Sequence, residues 1–215
     1  MDTTLILIRH GESLANLQKY FAGSWDVNLT QKGLLQAKLT AEYVAKNYKV
    51  DKIYSSDLNR AYSTAQEISE LSNVKIIKEK DLREINAGQW EKKRFDELEK
   101  LFPISFGKTW INDIGRAVCD GGESVEKLGE RVFNFLEKIA KENLGKTLVV
   151  ATHATPIRTA LCKMANKPIV YAKEIPWTSN ASITVVKYHQ GNWETVVFSY
   201  DGHLLGEKTI LPANV

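Results

Sequence analysis

Short apolar runs of strand length alternate along this chain with stretches of helical periodicity, and that alternation restricts the fold more than any other feature. Strand candidates fall at 4–8, 51–55, 74–78, 147–152, 182–188 and 193–199. Strand–helix–strand units of this kind build a largely parallel sheet. The last two candidates, joined across His189-Gln190-Gly191-Asn192, read as a hairpin. At 215 residues the chain is long enough for one sizeable α/β domain and short for two. The expected fold is α/β, a single domain over 1–215, with a mostly parallel sheet of about six strands and helices on both faces.

The helices carry clearer signals. Thr30 is placed to cap a helix in which Leu34, Ala37, Ala41, Val44 and Tyr48 recur at helical spacing. Asp57 is placed to cap a second, with Leu58, Ala61, Ala65 and Ile68 inward. Val125, Leu128, Val132, Phe135 and Ile139 mark one face of a long third. Thr155 as cap and Pro156 as first helical residue would begin a fourth. Residues 85–122 fit none of this. They hold no clear strand and carry Trp90, Phe95, Phe102, Phe106 and Trp110. The segment reads as an excursion from the sheet, either a helical or loop lid or a satellite core under a long loop.

In open parallel sheets, ligands sit beyond the carboxyl ends of the strands. The run 4–8 ends in Arg9-His10-Gly11-Glu12-Ser13. The run 51–55 leads into Ser55-Ser56-Asp57, with Arg60 one turn on, and the run 147–152 ends at His153. Three strand ends would then deliver two arginines and two histidines to one edge. Helix N-termini there add N–H groups and partial positive charge. Such a pocket suits a tetrahedral dianion. Phosphoryl transfer also needs a nucleophile and a proton donor for the leaving oxygen. His10 is the better nucleophile candidate, because Gly11 lets the backbone approach closely and nearby arginines would keep one ring nitrogen unprotonated. Glu84, after the third strand candidate, is the candidate proton donor. Composition and spacing alone support only an anion-binding α/β domain.

The run Leu7-Ile8-Arg9-His10-Gly11-Glu12-Ser13, with Asn16, resembles the signature of the histidine phosphatase superfamily, the group that includes cofactor-dependent phosphoglycerate mutases. The resemblance continues in order. It takes in Leu29-Thr30 with Gly33 and Gln36-Ala37, Ser55-Ser56-Asp57-Leu58 with Arg60-Ala61, and Leu82-Arg83-Glu84 with Gly88 and Trp90-Glu91. It ends through Gly122-Glu123-Ser124, Arg131-Val132, Thr152-His153 with Ile157-Arg158, and Asn180-Ala181-Ser182-Ile183. It implies that His10 takes the phosphoryl group while Arg9, Arg60 and His153 hold its oxygens. Glu84 would protonate the leaving oxygen and then activate water. Asn16 would add a neutral hydrogen bond, and Gly23 lies where the substrate loop approaches. Ala154 is counted among the phosphate-binding positions, although the family commonly has glycine there, and Asn28 stands where proline is frequent. Glu12 is expected to be a cap or ion-pair partner, and His189 and His203 to be surface or packing residues. No metal and no cofactor are implied.

Only Arg94 and Arg116 lie between Glu84 and Gly122, whereas the family's mutases carry a longer, arginine-bearing insertion there. The segment looks more like that of the broad-specificity or α-ribazole-type phosphatases. The expected activity is a metal-independent phosphomonoesterase acting on a small phosphate ester through a phosphohistidine. The alternatives are a mutase-type phosphotransferase and a non-catalytic phosphate-binding module. Net charge is +3 without a long basic tract, which argues against a nucleic-acid partner. No apolar run approaches the ~18 residues of a membrane span, and no secretory leader is recognisable. Cys119 and Cys162 lack metal-ligand spacing and read as reduced packing residues, so the expected compartment is cytoplasmic. A homodimer is left open.

Overall fold

The first strand shows why the chain folds as it does. In β1, Thr3–Arg9, Leu5 and Leu7 face one side and Ile6 and Ile8 the other, all at most 1% exposed. A strand buried on both faces must lie inside a sheet covered twice. The computed structural model describes residues 1–209, so the last six positions of the expected domain lie outside the described residues. The remaining strands are β2 (Lys52–Ser55), β3 (Ile76–Lys78), β4 (Thr147–Thr152), β5 (Ile183–His189) and β6 (Asn192–Tyr200). Their order is β3-β2-β4-β1-β5-β6. The first four are mutually parallel, and β5 runs antiparallel to both β1 and β6. The expected hairpin is present. Its two-residue turn, Gln190 at φ 46° and Gly191 at φ 89°, has the left-handed conformation that tight hairpins require.

The helices are α1 (Leu14–Gln18), α2 (Gln31–Asn47), α3 (Asn59–Ser72), α4 (Phe95–Leu101), α5 (Val125–Glu142) and α6 (Ala154–Met164). Ala41 and Val44 of α2, with Ala65 and Ile68 of α3, cover Ile6, Ile8, Ile53 and Val149. Leu128, Val132 and Leu136 of α5, with Ile157 and Ala160 of α6, cover Leu5, Leu7, Tyr54 and Val150. Helices therefore lie on both faces, as the alternation requires. Thr30 caps α2 as expected, its side chain accepting from the Gly33 N–H.

Three expectations change. Leu34 is 40% exposed, because α2 turns its small residues Gly33, Ala37 and Ala41 inward for close packing. Leu58, not Asp57, is the N-cap of α3, since the Asp57 carboxylate is committed to Arg83 (Arg83 Nη2–Oδ2 2.7 Å). His153, not Thr155, is the N-cap of α6. Pro156 is then the third helical residue, where its missing N–H is still harmless.

Residues 85–122 contain α4, a wide-turn helical stretch at Pro103–Trp110, and short 3₁₀ turns at Gly88–Trp90 and Ile114–Arg116. Of the two readings, the packing fits a satellite core continuous with the main one. Trp90, Phe106 and Trp110 are 0%, 2% and 4% exposed. Phe21 is their hub, with ring centroids 5.1 Å from Trp110, 5.6 Å from Trp90 and 5.7 Å from Phe95.

The loop after β1 is pressed against the start of α2. A Cβ on Gly33 would lie 2.0 Å from the Glu12 carbonyl oxygen, and one on Gly11 would lie 2.4 Å from the Gly33 oxygen. Backbone cannot yield as a side-chain tip can. Gly33→Ala is therefore expected to lower unfolding free energy by about 1–3 kcal/mol, the usual cost of overpacking. Urea denaturation should show the midpoint falling at unchanged slope.

Candidate active site

Parallel β1, β2 and β4 present their carboxyl ends at one edge, and the pairing of Arg9 with Thr152 brings the next residues side by side. The His10 N–H donates to the Thr152 carbonyl at 3.0 Å, and the His10 and His153 rings meet edge-on at 5.1 Å. Arg60 reaches the same point from the first turn of α3. Its Nε donates to His10 Nε2 at 3.2 Å, its Nη1 to the Trp25 carbonyl at 2.9 Å and its Nη2 to the Gly23 carbonyl at 2.8 Å. Arg9 Nη1 donates to the Thr178 carbonyl. His10 Nδ1 lies 2.7 Å from the Gly11 carbonyl oxygen. A carbonyl can only accept, so Nδ1 carries the proton and Nε2 presents a lone pair.

Glu84 completes the ring of groups. Its carboxylate accepts from the Ile85 N–H at 2.8 Å and the Thr155 N–H at 3.3 Å, beside the N-terminus of α6. Arg131 of α5 fastens the main chain around Glu84 by donating to the carbonyls of Asp81, Arg83 and Glu84 at 2.7, 2.9 and 3.1 Å. Arg131 is itself paired with Glu123 at 2.8 Å. Together Arg9, His10, Arg60, Glu84, Asn16, Gly23 and Ala154 line one pocket of about 530 Å³ of unfilled space. His153 is fully buried behind it, with Nε2 2.9 Å from Ser56 Oγ and Nδ1 without a partner among the described residues.

The profile of the histidine phosphatase superfamily (branch 1) matches residues 5–201. The chain belongs to that superfamily. Among similar proteins, this histidine phosphatase is 37% identical over 160 residues to phosphoserine phosphatase 1 of Hydrogenobacter thermophilus, covering 74% of this chain and 75% of the relative. Two Arabidopsis thaliana proteins are each 30% identical. Phosphoglycerate mutase-like protein 4 covers 93% of this chain and 86% of its own, and a metal-independent phosphoserine phosphatase covers 94% and 83%. A mutant phosphoserine phosphatase from Entamoeba histolytica, solved in complex with phosphoserine, superposes at TM-score 0.83 with 29% identity, covering 94% of this chain and all of that one.

Around the histidine phosphatase pocket, other expected residues take structural places. Asn16 Oδ1 accepts from the Ser13 N–H at 3.0 Å and from Asn180 Nδ2 at 3.3 Å. Asn180 Nδ2 also donates to the His10 carbonyl at 3.0 Å, fixing the nucleophile candidate's backbone. Glu12 is a cap partner, accepting from Thr30 Oγ1 at 2.8 Å. His189 is on the surface beside Asp2, and His203 packs between Tyr43 and Tyr200. Sequence reasoning gave no role to Arg131, Ser56, Tyr20, Phe21 or Trp177. The last three form part of the pocket's apolar wall, along with Phe95 and Trp110. Trp90 and Phe106 do not line the pocket and are buried in the core instead. Among the described residues no cluster of three His, Cys, Asp or Glu side chains could hold a metal, and no helix is long and apolar enough to cross a membrane.

Burial sets the charge states. Desolvation, reinforced by Arg60 and Arg9, holds the His10 pKa well below the ordinary 6.5. Desolvation, Arg60 and His10 do the same to His153. Burial also lowers both arginines to about 10, with Glu84 the first opposing influence, so they remain cations at neutral pH. A histidine with a depressed folded pKa is protonated first in the unfolded chain. Its contribution to stability is intact above pH 6.5 and is lost as pH falls below that toward the folded value. Unfolding free energy should therefore decline from pH 6.5 to pH 5. His153→Gln should make that decline shallower by up to about 1.4 kcal/mol per pH unit, one proton's worth. Urea titrations at stepped pH would measure both slopes, and equal slopes would contradict the linkage.

Proposed function

We propose that this histidine phosphatase is a metal-independent phosphomonoesterase that works through a phosphohistidine on His10 and acts on a small phosphorylated metabolite. The observation that carries the reading is the His10 ring. It is neutral, with its Nδ1 proton committed to the Gly11 carbonyl and its Nε2 lone pair directed at a buried guanidinium. In the first step Nε2 attacks phosphorus, the P–O bond to the leaving group breaks, and the Glu84 carboxyl gives that oxygen its proton. In the second, the Glu84 carboxylate takes a proton from water, the water oxygen attacks phosphorus, and the N–P bond breaks to free inorganic phosphate and His10. Arg9, Arg60 and His153 stabilise the charge spread over the phosphoryl oxygens, a task for preorganised donors in a dry site.

A mutase needs a grip on a second anionic group. Arg94 and Arg116, the arginines between Glu84 and Gly122, are paired with Asp96 and Asp113, and neither lines the pocket. That supports hydrolysis over transfer between two metabolites. A binding module would need the arginines but not Glu84.

With EDTA present, the protein is expected to release phosphate from phosphomonoesters and to carry an acid-labile phosphate on His10 in mass spectra of quenched reactions. Glu84→Gln should lower kcat by about 10²–10⁴-fold while inorganic phosphate still binds. Full turnover in that variant, or the absence of any phosphohistidine, would sink the proposal.

A further inference from the structure

The cations of the pocket are all at one end. Arg9 and Arg60 lie against His10, and among the lining residues there is no lysine and no third arginine. Ser13, Asn16, Tyr20, Thr155, Trp110 and Trp177 are the lining side chains that carry uncharged polar groups, and of Asn16 the Oδ1 is already engaged by Ser13 and Asn180. The aromatic wall is Tyr20, Phe21, Phe95, Trp110 and Trp177. Resting on the phosphatase reading above, we propose that this wall selects phosphomonoesters whose leaving group carries an aromatic ring, and discriminates against those bearing a second anion.

The wall is built to keep its shape. Trp110 and Trp177 face each other at 6.2 Å between centroids with planes tilted by 31°, and Phe21 backs Trp110 edge-on. Arg158 lies outside the lining. Its guanidinium is 4.3 Å from the Trp177 ring centroid, while its Nε and Nη2 donate to the Ala172 and Lys173 carbonyls at 2.7 and 3.0 Å. Arg158 is therefore a positioning residue, holding Trp177 through a cation–π contact whose cation is tied to main chain. The phosphoryl end is fastened to the same wall. Arg9 donates to Thr178, the neighbour of Trp177, and Arg60 to Gly23 and Trp25, which follow Tyr20 and Phe21. A flat apolar group leaving the phosphoryl oxygen meets rings in edge and offset arrangements that aromatic pairs favour. A carboxylate in that position sheds water and meets no cation among the lining residues beyond the two at the phosphoryl end. A basic cleft, lined by Lys80, Arg83, Lys127 and Arg131, opens on the other side of Glu84. Two of its four cations are spent on Asp57 and Glu123.

The test compares alkyl esters of closely similar leaving-group chemistry, so that bond cleavage drops out: 2-phenylethyl phosphate, ethyl phosphate and O-phosphoserine. The wild-type protein should turn over the phenylethyl ester with kcat/KM roughly 100-fold above either of the others, the scale of discrimination a hydrophobic pocket supplies. Trp177→Ala should shrink that ratio by roughly tenfold, mainly through KM. Arg158→Met should shift it in the same direction, and Arg158→Lys should restore part of it. The wild-type ranking needs no variant. Phosphoserine turned over as well as the phenylethyl ester, with phosphohistidine formed, would overturn this inference and leave the phosphatase reading standing. So would a ratio unmoved in a folded Trp177→Ala. No turnover of any ester and no phosphohistidine would overturn both.

Discussion

The molecule is organised around a guanidinium that has no carboxylate bonded to it. Arg60 is 1% exposed, and its donors go to an imidazole nitrogen and two main-chain carbonyls. Burying a cation this way is costly unless its hydrogen bonds are met and opposite charge is near. The carbonyls meet the first condition, and Glu84, acting through space, supplies part of the second. The charge that remains is what a tetrahedral oxyanion can neutralise. A second buried arginine, Arg9, donates to the Thr178 carbonyl through Nη1 and keeps its Nε without a partner among the described residues. On the proposed reading, affinity for anions comes from positive charge that folding has desolvated and left only partly compensated.

That arrangement links chemistry to loop structure. A guanidinium satisfied by carbonyls orders the segments that own them, so the loops at 20–25 and 177–180 are held by the same arginines that line the pocket. Glu84 is held independently. Arg131 on α5 fixes the main chain of Asp81–Glu84, and Glu123 fixes Arg131.

Much of this is legible in the sequence, and the reasons are local. The strand ends of β1 and β4 could be read because runs such as Leu5-Ile6-Leu7-Ile8 admit little else, and once the sheet is parallel, Arg9, His10 and His153 must share an edge. Arg60 and Glu84 followed from their distance to such an end. The capping of α3 and α6 was misjudged by one or two residues, for α3 because a tertiary partner took the side chain. Asp57 was claimed by Arg83, a residue more than two dozen positions away. Arg131 sits on a helix rich in charge, where nothing local separates a clasp from a solvated surface residue. The apolar wall was the least visible part. Tyr20, Phe95, Trp110 and Trp177 come from four separate segments, and only folding gathers them. Trp90 and Phe106 have the same composition and neighbourhood but point into the core.

The bond from the His10 N–H to the Thr152 carbonyl has an implication for how such a protein can change over time. The separation of the two imidazoles is set by the spacing of neighbouring strands, a constant of sheet geometry, and not by any side chain's bulk. On the proposed reading, lineages can therefore exchange the aromatic residues of the loops, and with them the clientele, while the distance on which bond making depends is inherited unaltered.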